Sequence, residues 1–89
     1  MLTPVRSKRF KKDVELARKR GWETSKLTAI LDLLLNEKPL PERCQDHPMQ
    51  GEWQGFRDAH IAPDWVLIYA VLDGELHLAR TGTHADIFG

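Results

Sequence analysis

Trp65-Val66-Leu67-Ile68-Tyr69-Ala70-Val71-Leu72-Asp73-Gly74-Glu75-Leu76-His77-Leu78-Ala79-Arg80-Thr81 is the stretch that decides the architecture of this chain. Eight apolar residues without a break suit a central strand buried on both faces, and Asp73-Gly74 is a strong signal for a two-residue hairpin loop. Two antiparallel strands, 65–72 and 75–81, follow. With Leu72 facing Glu75, the register carried along the ladder sets Arg80 opposite Leu67 and Gly82 opposite Trp65. Arg80 then shares the parity of Leu76 and Leu78, and a guanidinium on an apolar face is costly unless an anion meets it nearby.

Upstream, Trp53 to His60 is strand-like, and Ala62-Pro63-Asp64-Trp65 has proline at the second position of a turn. A four-residue loop from Ile61 to Asp64 would set His60 opposite Trp65, giving three antiparallel strands. At the N-terminus, Leu2 to Val5 predicts a short edge strand, because Pro4 lacks the N–H that an inner ladder needs. Ser7 is the expected N-cap of a helix with Phe10, Val14 and Ala17 on one face; Arg18, Lys19 and Arg20 fill its last turn and Gly21 ends it. Thr24 or Ser25 is expected to cap a second helix in which Leu27, Ile30, Leu31 and Leu34 follow the 3.6 period, with Pro39 and Pro41 beyond its end. The pattern is that of an α+β fold.

Composition narrows the setting. A chain of 89 residues, 42% of them hydrophobic, predicts one small domain over residues 1–89, and no repeat or low-complexity run speaks against it. One cysteine, Cys44, can form no internal disulfide and has no Cys-x-x-Cys partner, which points to a reducing, cytoplasmic location. The eight-residue apolar run is too short to span a bilayer and the charged N-terminus lacks the apolar core of a signal peptide, so no membrane association is expected. The net charge of zero hides an asymmetry. Residues 1–26 carry nine Lys/Arg against three Asp/Glu, and residues 27–89 carry four against ten. A basic helical face on an acidic body suits a polyanion or an acidic partner, the plainer alternative being a solvated helix surface.

Function gathers at the segment ends. Asp46-His47-Pro48, Arg57-Asp58-Ala59-His60, Pro63-Asp64-Trp65, Arg80-Thr81-Gly82-Thr83-His84 and Phe88-Gly89 together resemble the YafQ-type branch of the RelE/ParE superfamily of bacterial toxins, the toxic halves of toxin–antitoxin pairs. The resemblance covers nearly the whole chain. It implies a RelE-like fold, two N-terminal helices packed on a twisted, mainly antiparallel sheet. It also implies ribosome-dependent cleavage of messenger RNA in the A site, which inhibits translation, and restraint by a cognate antitoxin, DinJ-like or other. Operator DNA, reached through the antitoxin, is a further partner the resemblance leaves room for.

Metal-free RNA cleavage needs a base for the 2′-hydroxyl, an acid for the departing 5′-oxygen and a cation for the phosphorane. Imidazoles titrate near neutrality and fill either proton role, and a guanidinium matches phosphate oxygens. His47, His60, Asp64, Arg80 and His84 are therefore the expected catalytic set: His84 as acid, Arg80 as electrostatic stabiliser, and the base left open among His47, His60 and Asp64. Trp65 and Phe88 are expected to stack on a splayed nucleotide. Arg6, Lys8, Arg9, Lys11, Lys12, Arg18, Lys19 and Arg20 are expected to meet ribosomal RNA. No cofactor and no metal is expected: His47, His60, His84 and Asp64 lack a His-x-x-x-His spacing, and Arg80 would oppose a cation. His77, in mid-strand, and Trp53 read as surface or packed residues. The alternative function is that of a non-enzymatic ParE-like toxin or interaction module, a group that lacks this histidine set.

Overall fold

The hairpin forms where the sequence places it. In the computed structural model, which describes residues 1–89, strands β4 (Trp65–Leu72) and β5 (Glu75–Gly82) are joined by Asp73 and Gly74 at φ 51° and 75°. Two consecutive positive φ angles give the loop a twist that matches the flanking strands. Leu72 pairs with Glu75 and the register holds to Tyr69 opposite Leu78. It then shifts by one residue, so that Arg80 lies opposite Ile68, Thr81 opposite Leu67 and Gly82 opposite Val66. The expected pairings of Arg80 with Leu67 and Gly82 with Trp65 are corrected by this bulge. Its cause lies outside the hairpin: Ser7 donates its hydroxyl to the Ala79 carbonyl at 2.8 Å and its N–H to the Leu78 carbonyl at 3.1 Å.

A second irregularity sits on the other side. β3 (Arg57–Ala62) runs antiparallel to β4 with Ala62 opposite Trp65 and His60 opposite Val66, so Ile61 is the extra residue. The connecting turn is only Pro63-Asp64, with Asp64 at φ 53°. His60 therefore faces Val66 and not Trp65 as expected. β3 also starts later than expected, because Trp53 closes a 3₁₀ turn, Gly51–Trp53. A two-residue strand too short to be expected from the pattern, β2 (His47–Pro48), pairs with Asp58 and Arg57. At the opposite edge β1 (Thr3–Arg6) lies parallel to β5, completing the order β1-β5-β4-β3-β2. Pro4 sits on an edge strand, as its missing N–H requires.

Helix α1 (Lys8–Lys19) is capped by Ser7, whose Oγ accepts from the Phe10 N–H at 3.0 Å, and it ends at Arg20 before Gly21 at φ 79°. α2 (Thr24–Leu35) begins one residue earlier than expected: Glu23 is the N-cap and gives no side-chain bond, so Thr24 and Ser25 already lie in the first turn. The close helix–helix turn, in which the Trp22 N–H bonds the Ala17 carbonyl at 3.0 Å, leaves no room for a longer lead-in. Both helices pack on the face of the sheet that carries Leu67, Tyr69, Leu76 and Leu78, with Phe10, Ala17, Leu27, Ile30 and Leu34 opposite. Each fully buried Leu of this core contributes about 1.5–3 kcal/mol. Val66 and Ile68 are fully buried outside that cluster, on the face that their cross-strand partners His60 and Asp58 share. No helix is long and apolar enough to cross a membrane.

Candidate active site

A third helix, α3 (His84–Phe88), builds one wall of the site and went unread in the sequence because five residues are too few for a periodic pattern. Its start was legible in principle. Thr83 and Asp86 form a reciprocal capping box, with Thr83 Oγ1 accepting the Asp86 N–H and the Asp86 carboxylate accepting the Thr83 N–H, both at 3.0 Å. The helix carries His84 in its first turn and Phe88 at its end. The His84 ring stands 5.8 Å from that of His60, nearly edge-on at 81°, and 6.0 Å from that of Phe88. Phe88 is 47% exposed.

Asp64 approaches His84 from the β3–β4 turn. Its Oδ1 accepts both the His84 N–H at 3.2 Å and the ring Nδ1 at 2.9 Å. A carboxylate only accepts, so Nδ1 carries a proton and Nε2 is the ring nitrogen left to act. The side-chain bond from His84, followed by the backbone bond, lowers the Asp64 pKa below the ordinary carboxylate value. On the other side of the site, His47 donates Nδ1–H to the Gln45 carbonyl at 2.6 Å, which turns Nε2 toward Asp58 Oδ2 at 3.9 Å. His47 is exposed, while Asp58 is only 6% exposed. Asp58 is the residue the sequence reading passed over. It sits in the quoted Arg57-Asp58-Ala59-His60, and the i, i+2 spacing that puts it on the same strand face as His60 was the available signal. One ligand-type atom from each of Asp58, His60 and His84 lies within 4.8 Å of the others.

Arg80 is not a free cation. Its Nε and one Nη donate to Asp13 of α1 at 2.7 and 3.3 Å, and that Nη reaches the Asp86 carbonyl at 3.3 Å. The bulge turns Arg80 onto the face of Ile68, away from Leu76 and Leu78 whose parity it was expected to share, and the anion it needs is supplied by the protein. Asp13 also accepts the Thr81 N–H at 3.1 Å, capping the edge of β5 where β1 has ended. The second Nη of Arg80 makes no hydrogen bond within the protein. Trp65 departs further from expectation: it is 4% exposed, its Nε1–H donates to Thr81 Oγ1 at 2.9 Å, and its ring lies 5.0 Å from that of Trp22. A ring so enclosed is core and has no face to offer a base.

Seven of the eight basic residues expected at the ribosome, Arg6, Lys8, Arg9, Lys11, Lys12, Arg18 and Lys19, are exposed without a long-range partner. Arg18 pairs only with its helical neighbour Glu15, at 3.3 Å. Arg20 differs, since it donates twice to the Asp86 carboxylate, at 2.6 and 3.0 Å, and lies over the Trp22 ring. The bond from Arg20 is the main cause that holds the Asp86 carboxyl well below the usual carboxylate range. Behind the site, Asp46 accepts from Arg57 Nε at 3.0 Å and from the Tyr69 hydroxyl at 2.7 Å, pinning the loop that leads into His47. Burial, then Asp46, pushes the Tyr69 phenol well above its ordinary value, so it stays a donor. Burial likewise raises the Cys44 thiol, which argues against a nucleophile there. His77 bonds Glu75 on the strand surface at 3.1 Å, apart from the site.

Residues 2–89 match the family described as bacterial toxin of type II toxin-antitoxin system, YafQ. The chain belongs to the YafQ toxin family. Among curated proteins it is 51% identical over 84 residues to the mRNA interferase toxin YafQ of Escherichia coli strain K12, covering 93% of this chain and 91% of the relative. The crystal structure of the E. coli DinJ-YafQ complex contains a chain that superimposes with a TM-score of 0.93 at 48% identity over the whole of both chains. A copper-bound mutant toxin from Helicobacter pylori superimposes with a TM-score of 0.95 at 39% identity, over 99% of this chain and all of that one. The RelE-like architecture expected from the resemblance is thereby established. Membership in the YafQ family makes this chain a toxin of a type II toxin–antitoxin system.

Proposed function

We propose that this YafQ-family toxin is an mRNA interferase that cuts messenger RNA in the ribosomal A site, with protein side chains alone moving the protons. The observation that carries the reading is the convergence of Asp58, His60 and His84 within 4.8 Å, with His84 oriented by Asp64. In the reaction a base removes the 2′-hydroxyl proton, the 2′-oxygen attacks phosphorus, and an acid protonates the departing 5′-oxygen. The products are a 2′,3′-cyclic phosphate, or the 3′-phosphate after hydrolysis, and a 5′-hydroxyl.

His84 is the acid, because Asp64 occupies Nδ1 and leaves Nε2 to deliver the proton. The same contact, and the lowered Asp64 pKa, take Asp64 out of the base role. His60 is the base, with the Asp58 carboxylate beside it; His47 lies on the far side of Asp58, its Nε2 3.9 Å from Asp58 Oδ2. Each proton-transfer group contributes on the order of 10²–10⁴ in rate. Arg80, aimed by Asp13, offers its unbonded Nη to the phosphorane, a fixed donor that need not reorganise as charge develops. Phe88 holds the unstacked nucleotide; Trp65 supports the floor from within.

The exposed cations of α1 and its lead-in dock on ribosomal RNA in the cytoplasm. An antitoxin restrains the toxin, a reading supported by the toxin-antitoxin complex that YafQ of E. coli forms with DinJ; here the basic face and the β1 edge suit an acidic segment that orders on binding, and the antitoxin brings the pair to operator DNA. The test is purified toxin on ribosomes programmed with a defined A-site codon. Cleavage leaving a 5′-hydroxyl, lost on His84→Ala, is expected. Intact message after incubation with wild-type toxin would sink the proposal.

A further inference from the structure

A cleft of about 580 Å³ runs between α2 and β3, and His60 lines it as well as belonging to the cluster with Asp58 and His84. Ala29 and Ile30 on one side and Ala62 and Pro63 on the other give it apolar walls, and two cations, Lys26 and Arg43, complete them. Strand β2 pairs with β3 only at Arg57 and Asp58, so beyond Asp58 the outer edge of β3 has no strand beside it. Apolar walls, an open peptide edge and cations are what an unstacked nucleotide of single-stranded RNA needs: a surface for its base, partners for its hydrogen-bonding edge and counter-charge for its phosphate. We infer that this cleft holds the nucleotide on the 5′ side of the cut, with its own 5′-phosphate between Lys26 and Arg43. Which side the cleft serves rests on the nuclease reading above, because His60 as base sits at the 2′-hydroxyl and that hydroxyl belongs to the 5′-side nucleotide. Phe88, with its ring 6.0 Å from that of His84, is left for the nucleotide on the 3′ side.

The two cations carry the assignment. From residue 27 onward the chain is acidic, and its Arg57 and Arg80 are held by Asp46 and Asp13. Arg43 and Lys26 are both exposed and take part in none of the ion pairs of the molecule. Lys26 stands, moreover, in the first turn of α2, where the helix dipole disfavours a cation and no acid shares the turn. Glu23, the residue before that turn, forms no ion pair with it. Lys26 also lines the neighbouring cleft with Asp64 and Thr83, so it lies between the wall that carries His60 and the residues that position His84. A cation kept where its own helix opposes it, beside the proton-transfer cluster, matches a phosphate that arrives with the substrate.

The test uses messages that carry one uncharged methylphosphonate, placed in the A site of programmed ribosomes and cut by saturating full-length toxin in a single turnover. Neutralising the phosphate immediately 5′ of the scissile one should slow the wild type by about tenfold. The double variant Lys26→Gln/Arg43→Gln should cut the ordinary message about tenfold more slowly than wild type and lose nothing further on the modified one, since the contact is already gone. The same replacement on the 3′ side should slow both proteins by the same factor. The melting temperature of the variant should hold or rise slightly, because Lys26 leaves an unfavourable helix end. Additive losses on the 5′ side, or a variant as fast as wild type, overturn the subsite. A variant weakened only in ribosome or antitoxin binding overturns it too, and gives the two cations to those partners. Wild-type toxin that cuts neither message refutes the nuclease reading separately, and amide shifts then decide the cleft: a non-cleavable 2′-deoxy trinucleotide titrated into labelled toxin should move Ala29 and Ala62, and shifts absent from both overturn it.

Discussion

Asp64 grips His84 twice, accepting the backbone N–H at 3.2 Å and the ring Nδ1–H at 2.9 Å through the same oxygen. A single atom thus fixes both where α3 begins and which way its imidazole turns. Asp64→Ala should lower the single-turnover cleavage rate by about tenfold, a positioning loss smaller than the 10²–10⁴ expected for His84→Ala. Thermal stability should stay almost unchanged, since both side chains are at least half exposed. An Asp64→Ala rate as low as that of His84→Ala would give Asp64 a direct chemical role.

His60→Ala and Arg80→Ala should both abolish toxicity but differ in stability. Arg80 and Asp13 side chains are each 11% exposed, and removing one partner of such a pair costs about 3–5 kcal/mol. Denaturant unfolding should show this loss for Arg80→Ala and little change for His60→Ala. Activity is compared at equal folded fraction, and Arg80→Lys should not restore it, because a lysine cannot make the forked contact.

The Arg20–Asp86 pair predicts a pH signature. The Asp86 carboxyl is held well below its unfolded value by Arg20, so its stabilisation is complete above the unfolded pKa of about 3.9 and fades as pH falls through the native value. The melting-temperature gap between wild type and Asp86→Asn should be constant from neutrality to about pH 5 and shrink below pH 4. A gap that widened on acidification would contradict the assignment.

Charge reversal at Lys8, Lys11 and Lys12 should weaken ribosome binding and flatten its dependence on salt, with the log–log slope falling by about two to three. These side chains touch nothing that holds the fold. Reversal at Arg20 alone should instead release Asp86 and impair cleavage at any salt concentration. An unchanged slope for the triple variant would return α1 to an ordinary solvated surface.

Gly82 stands at φ 155°, and a Cβ there would meet Asp86 Oδ2 at 3.0 Å and Asp86 Cβ at 3.2 Å. Gly82→Ala should destabilise by about 1–3 kcal/mol and push Asp86 off Arg20 and Thr83. Hydrogen exchange confined to α3 would report the loosening. An alanine variant as stable and active as wild type would show that the end of β5 adapts freely.

Strands β1, β3, β4 and β5 and the two long helices were legible because their signals are local, whereas β2 and α3 are too short to carry a periodic pattern. Asp73-Gly74 named its own turn, Ser7 its own helix start, and Pro4 its own edge. The two bulges were not, since Ala79 is displaced by a hydroxyl 72 residues away and Ile61 by a turn two residues shorter than the one assumed. For the site, chemistry-bearing residue types exposed His60, Asp64, Arg80 and His84, but partners carry no such label. That Arg80 belongs to Asp13, Arg20 to Asp86, and Trp65 to the core depends on tertiary contacts that single-chain spacing does not encode.

The parallel pairing of β1 with β5 ties the first strand made to the last, and the bonds Ser7–Ala79, Asp13–Arg80 and Arg20–Asp86 bridge the same two ends. A nascent chain lacking its final residues therefore has neither a seated Arg80 nor an α3 to carry His84. The site is completed only once the segment that forms α3 has left the ribosome, and while earlier segments emerge the polypeptide is unarmed.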